Sequence, residues 1–187
     1  MGELGWKNYT INSPIMRVFW KIATAMPLAM LLASAHAAVP KVAGLDFELV
    51  DTSLEGATYG PGADQQARLA QITGRLRDQL AKSGQVTVVD ITPVAAQARA
   101  ANLRNCGGCE AQFASQVDAD FAVTEWVKKV SNLILHMNVM VSDAKAGRLI
   151  SLKSVDMRDN TDESWSRAID WLTRYDLLAP PGQGVFP

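Results

Sequence analysis

The chain has 187 residues, 48% of them hydrophobic, a formal net charge of −1 and two cysteines. This length suits one domain with an appendage, and the hydrophobic share excludes a largely disordered chain. The near-neutral balance excludes a broadly basic nucleic-acid binder, and two cysteines exclude a disulfide-rich scaffold.

The first 37 residues separate from the rest. Arg17 and Lys21 precede an uncharged stretch from Ile22 to Ala35, and Ala35-His36-Ala37 then leads into Ala38. A basic start, a short apolar run and a small-x-small site form a secretory signal peptide, with cleavage expected near Ala37–Ala38. The apolar run is shorter than the ~20 residues a spanning helix needs, and Pro27 interrupts it. Met16, directly before Arg17, is a candidate start. No cysteine follows the apolar run, so no lipoprotein anchor is expected. Cleavage leaves 150 residues with 15 basic and 18 acidic side chains, a net charge of −3 and one histidine, His136. A chain of that size buries about 70% of its unfolded surface, enough for one core. The expected location is the periplasm.

Residues 42–50 read as a strand, with Ala43, Leu45, Phe47 and Leu49 alternating with polar residues and glycine. Residues 51–62 read as a loop with three glycines and Pro61. Asp64 is expected to cap a helix that runs to about Ser83, with Leu69, Ile72, Leu76 and Leu80 as its buried stripe and Gly84 ending it. Residues 86–91 form a short apolar strand, and Pro93 opens a helix through Asn102. Cys106-Gly-Gly-Cys109 is a tight turn before a helix over 110–117. Strands are expected over 121–130, 133–143 and 148–157, with Leu133, Leu135, Met137, Val139 and Val141 on one side of the second. The last helix covers 162–178 with Trp165, Ala168, Ile169, Leu172 and Tyr175 on one face, and Asn160 and Glu163 have capping-box spacing.

The order is βαβααβββα. It predicts a single mixed α/β (α+β) domain over residues 38–178, with a flexible tail over 179–187. Early crossovers favour parallel pairing and later short turns favour an antiparallel meander. The expected sheet has five strands in the order 2-1-3-4-5, with helices packed on it.

Several residues are candidates for chemistry or recognition. Cys106 and Cys109, in an exported chain, form an oxidised pair. Three readings stand for them: a local structural disulfide, a redox pair activated at a helix N-terminus, and two ligands of a metal site. A c-type haem site needs His after the second Cys, where Glu110 stands. Gly60-Pro-Gly-Ala-Asp-Gln65 approaches a dinucleotide fingerprint but carries Gln65 at the third glycine and Asp64 where phosphate would sit. His136 is alone on the polar face of its strand, and no Gly-x-Ser-x-Gly elbow is present. Residues 156–163 are rich in oxygen ligands but lack the spacing of a calcium loop. They read as a solvated turn with a helix cap or, more sharply, as a recognition loop with Arg158, Asn160, Asp162 and Trp165. Trp126, Lys128 and Lys129 read as a small basic-aromatic patch, or as lysines guarding a sheet edge.

The motifs Leu45-Asp-Phe-Glu-Leu-Val-Asp-Thr-Ser53, Arg104-Asn-Cys-Gly-Gly-Cys109, Trp126-Val-Lys-Lys-Val-Ser-Asn-Leu-Ile-Leu135 and Ser154-Val-Asp-Met-Arg-Asp-Asn-Thr-Asp-Glu-Ser-Trp165 resemble an uncharacterised family of exported proteobacterial proteins, over about residues 40–178. More distantly, Leu45-Asp46-Phe47, Val88-Val89-Asp90 and Asp118-Ala119-Asp120 resemble a periplasmic α/β domain of several envelope proteins. That domain occurs at the amino terminus of the Tol–Pal propeller protein, in lipoprotein activators of penicillin-binding proteins and in the curli-secretion lipoprotein. The lipidation cysteine and the propeller are missing here. The resemblance implies a protein-binding module, and it transfers no catalytic residue.

The expected function is thus an exported periplasmic accessory module that binds another envelope protein, with no cofactor, no metal and no nucleic acid. A thiol–disulfide redox protein using Cys106 and Cys109 is the alternative from the enzyme class. A small-ligand binder with a pocket over the carboxyl ends of the early strands is the third reading.

Overall fold

The alternation of Ala43, Leu45, Phe47 and Leu49 predicts one strand with these four on one face. The computed structural model, which describes residues 38–178, 180 and 183–186, divides it into β1 (Lys41–Gly44) and β2 (Glu48–Asp51). The signal-peptide reading of residues 1–37 lies outside the described residues. Both pieces run parallel to β4 (Phe121–Ser131), with Gly44 opposite Val123 and Glu48 opposite Trp126. Three residues, Leu45 to Phe47, therefore face two, Thr124 and Glu125. One extra residue reverses the pleat, as in a β-bulge. Ala43 and Leu45 point into one core, and Phe47 and Leu49 into the core on the other face.

The remaining order follows the sequence closely. Helices α1 (Leu54–Tyr59) and α2 (Ala63–Ser83) lead to β3 (Thr87–Val88). Helices α3 (Thr92–Ala100) and α4 (Cys109–Gln116) lead to β4, and β5 (Ile134–Asp143) and β6 (Arg148–Met157) complete the meander. The spatial order is β3-β1-β4-β5-β6, with β2 beside β4, so the expected 2-1-3-4-5 arrangement is met with its first strand in two pieces. Pairing is parallel for β1–β3, β1–β4 and β2–β4, and antiparallel for β4–β5 and β5–β6.

Helix α2 buries Leu69, Ile72, Leu76 and Leu80 on the first face of the sheet, as their spacing predicts. Each such side chain contributes roughly 1.5–3 kcal/mol of transfer free energy. Helix α5 (Asp162–Trp171) packs beside it through Trp165, Ala168 and Ile169. Its wider last turn, Leu172–Leu177, hydrogen-bonds with π spacing. That shift buries Leu177 and leaves Tyr175 58% exposed, so Tyr175 is not part of the buried face. Helices α3 and α4 cover the second face with the alanine-rich cluster of Ala43, Ala98, Ala114 and Ala122.

Four local expectations change. Residues 54–59 are helical rather than loop, because Ser53 caps them: its hydroxyl accepts from the Gly56 N–H at 3.0 Å. The strand expected over 86–91 pairs only at Thr87–Val88. Thr161, not Asn160, caps α5. The tail does not simply fray: Phe186 is buried and meets Phe121 edge-on, with ring centroids 5.6 Å apart.

The bulge gathers polar groups. From α2, Arg77 donates through Nε and Nη2 to the Gly44 carbonyl at 3.0 and 2.8 Å, and to Asp46 at 2.7 Å. From α3, Arg99 donates to the other Asp46 oxygen at 2.6 Å. Glu125 of β4 is fully buried opposite the bulge, and neither carboxylate oxygen meets a hydrogen-bond partner among the described residues. Burial pushes the Glu125 carboxyl well above its usual range and Asp46 adds to this, while Arg77 opposes it. A carboxyl raised in the folded state keeps a proton that the unfolded chain releases above its ordinary value of 4.5, so stability falls as pH rises from there toward the folded value. Glu125→Gln removes that loss: its urea midpoint is expected to exceed that of the unsubstituted chain at about pH 8, with the difference closing by about pH 4.

Candidate functional site

Strand β2 ends at Asp51, directly across from Lys129 of β4. Both side chains point to the α2–α5 side, and the lysine is fully buried. Its Nζ lies 3.2 Å from Asp51 Oδ2 and 2.9 Å from Glu55 Oε2. Asp51 Oδ1 also accepts from the Ser53 N–H at 2.9 Å and from the Ser53 hydroxyl, which sets the first turn of α1. A Cβ at Gly56 would lie 2.2 Å from Asp51 Cγ, so only glycine lets α1 sit on this carboxylate. Glu55 in that turn is thereby aimed at the lysine.

The network continues through amides. Glu55 Oε2 accepts from Asn132 Nδ2 at 3.1 Å, and Asn132 Oδ1 accepts from Asn160 Nδ2 at 3.1 Å. Asn160 Oδ1 accepts from the Trp165 indole N–H at 3.1 Å and from Arg68 at 3.4 Å. Arg68 spans Asp162 at 2.6 Å and Asp64 at 2.7 Å. One chain of polar contacts thus ties α1, the β4–β5 turn, the start of α5 and the start of α2. A polar cavity of about 500 Å³ opens among them, lined by Glu55, Tyr59, Lys129, Asn132, Asn160 and Thr161.

Burial alone would raise the Asp51 carboxyl, but its bonds from Ser53 and Lys129 outweigh that and hold it below the usual carboxylate range. Burial would lower the Lys129 ammonium, and Glu55 and Asp51 instead raise it. The Lys129 and Asn132 hydrogen bonds lower Glu55. The cluster is therefore charged across neutral pH. Its stabilisation is lost in acid as pH falls through the lowered Asp51 value, and in base as pH rises through the raised Lys129 value.

Four of the residues singled out in the sequence meet here: Lys129, Asn160, Asp162 and Trp165. Two of them are not surface groups. Trp165 is fully buried, with its ring in the main core and only its N–H spent on Asn160. Lys129 is buried because β4 lies inside the sheet, between β2 and β5, so Lys128-Lys129 does not guard an edge. Lys128 and the half-buried Trp126 point to the opposite face of the sheet and do not join the cluster. Arg158 is exposed and also stands apart. His136 pairs with Asp156 across β5 and β6 at 2.7 Å.

Cys106 and Cys109 form a disulfide, with Cα atoms 5.6 Å apart, at the entry to α4. The bonded sulfurs offer no thiolate, so the cluster of Cys106, Cys109 and Glu110 does not form a metal site in this state. The Cys109 N–H lies 3.1 Å from Cys106 Sγ, and a Glu110 oxygen lies 3.6 Å from the same sulfur. Glu110 is itself buried and accepts from the Ser142 hydroxyl at 3.1 Å.

Asp51, Glu55, Arg68 and Asn132 escaped the sequence reading. The Asp51-Thr-Ser53 run with Gly56 three residues after the cap was the available signal for α1. Removing the lysine while its buried partner remains leaves an uncompensated charge, so Lys129→Met is expected to cost about 3 kcal/mol in denaturant unfolding. Asp51→Asn added to Lys129→Met is expected to recover part of that loss.

Among the described residues, no helix is long and apolar enough to cross a membrane. A comparison with curated protein sequences gives no match. Among solved structures, the chain is similar to the LpoB C-terminal domain from Escherichia coli, at 16% identity and a TM-score of 0.46, over 70% of this chain and 90% of that one. It is similar to the lipoprotein GNA1162 from Neisseria meningitidis, at 13% identity and a TM-score of 0.43, over 66% of this chain and 83% of that one. A third similarity is to TolB from Acinetobacter baumannii, at 12% identity and a TM-score of 0.43, over 73% of this chain and 28% of that one. A family model, described as a protein of unknown function (DUF2380), matches residues 40–177, and the chain belongs to that family, DUF3280.

Proposed function

We propose that this protein is an exported accessory module that works by binding another envelope protein in the periplasm, without catalysis of its own. The signal-peptide pattern before Ala38 supports export. The surface at the hairpin end carries the binding reading. Leu54 and Tyr59 of α1 are 85% and 84% exposed, and Leu133 of the β4–β5 turn is 68% exposed. The Glu55–Asn132 hydrogen bond joins the two elements that bear them. Large apolar side chains grouped on one rigid surface support a protein contact.

The rim specifies the partner's chemistry. Asp51, Glu55, Asp64, Asp159 and Asp162 outnumber Arg68 and Lys129 in and around the network. The surface therefore fits a segment with apolar side chains and a basic border.

Site-specific photo-crosslinking in the native periplasm tests this. A photoreactive group at position 59 is expected to give a discrete adduct that Leu133→Ser abolishes without lowering Tm. The same group at Lys82, exposed on α2, is expected to give none. Adducts that are identical from both positions, or insensitive to Leu133→Ser, would overturn the proposal, as would no adduct from position 59.

A further inference from the structure

The chain leaves β1 through α2 to reach β3 on one side, then returns through α3 and α4 to β4 on the other. Helix α2 lies on one face of the sheet and α3 on the other. The two helices thus diverge over the carboxyl end of β1, where the strand order reverses. Open α/β sheets bind ligands in that crevice. Here the β1–β2 bulge widens it, and a cavity of about 620 Å³ lies between α2, α3 and residues 46–49. This size suits a small molecule.

Two features of the cavity wall bear on a ligand. The first is Gly74, near the middle of the 21-residue helix α2 and on the cavity wall. A glycine there costs about 1 kcal/mol relative to alanine. No packing requires it, since a Cβ at this position would meet nothing within 4 Å.

The second is a pair of unspent charged groups. Arg77 and both Asp46 oxygens are committed to one another, to the Gly44 carbonyl and to Arg99. Arg99 makes that contact through Nε alone, so its two terminal amino groups have no protein partner among the described residues. Its side chain is 67% exposed. Glu48 holds Arg104 through Oε2 at 2.9 Å, and its Oε1 has no hydrogen-bond partner among the described residues. Asp90 does not line the cavity, and its Oδ1 accepts from the N–H and hydroxyl of Thr92. The walls thus carry Arg77, Arg99, Asp46 and Glu48, with Arg104 held on Glu48 behind them, above an apolar floor of Phe47, Leu69 and Leu103. The unspent amino groups of Arg99 and the unspent Glu48 Oε1 together suit a zwitterion with an apolar side chain.

The geometry points to a site for an apolar amino acid or a short apolar peptide with free termini. Its carboxylate meets the terminal amino groups of Arg99, its ammonium meets Glu48, and its side chain rests on Phe47, Leu69 and Leu103. This site is separate from the hairpin-end surface, so either can fail without the other.

Calorimetric titration of the full-length chain tests it with four probes: L-leucine, L-leucyl-L-leucine, N-acetyl-L-leucinamide and octanoate. Saturable binding of leucine or dileucine is expected, and the tighter of the two identifies the source. No saturation is expected with the neutral amide or the simple anion. Loss of a charge-assisted contact in Arg99→Gln is expected to weaken binding at least about tenfold. Gly74→Leu is expected to fill the cavity and abolish binding with Tm unchanged or raised. The proposal is overturned if neither leucine nor dileucine saturates, if octanoate or the amide binds equally well, or if Arg99→Gln binds as tightly as the unsubstituted chain.

Discussion

One extra residue in the first strand is the constraint on which much of this structure depends. Leu45 to Phe47 oppose only Thr124 and Glu125, so the pleat reverses within a strand whose composition alternates without a break. The reversal turns Phe47, Leu49 and Asp51 toward α2 and α5 and leaves Ala43 and Leu45 facing α3 and α4. It also opens a gap at the centre of the sheet, which Asp46 fills. Arginines from the two helices on opposite faces meet on that carboxylate, at 2.7 and 2.6 Å. The bulge therefore joins the two layers through Asp46. The buried Glu125, opposite the same gap, is the cost of this arrangement.

The reversal also places Asp51 on the side where Lys129 lies. From that pair the polar network runs to Glu55, Asn132, Asn160 and Trp165, and it holds the β4–β5 turn, the loop before α5 and a short helix in one arrangement. Buried ion pairs add little net stability once desolvation is counted. Their effect here is geometric: α1 is only six residues long and buries no side chain, so packing does not hold it. The lysine, the Ser53 cap and the close approach at Gly56 do. The exposed Leu54 and Tyr59 owe their fixed position to those polar contacts.

The sequence was most legible where one face of an element is apolar throughout. The stripes of α2 and β5 and the strand order followed from period and connection length. It was least legible where a single residue interrupts a pattern. The alternation through 43–49 carries no sign of the bulge, because both faces of that strand are buried and both accept apolar residues. The candidate site was half legible. Lys129, Asn160, Asp162 and Trp165 were singled out as surface groups, and two of them are buried. Their partners Asp51, Glu55 and Arg68 come from segments that are remote in the chain, and no local spacing links them.

By itself, then, the sequence determined a mixed α/β domain, its strand order and the local Cys106–Cys109 pair. Each of these follows from short-range pattern or composition. The tertiary structure alone decided which charges are buried, which apolar residues stay exposed, and where a cavity remains. Those outcomes depend on how β1 and β2 lie against β4, and a one-residue shift in that register reassigns every side chain to the other face of the sheet.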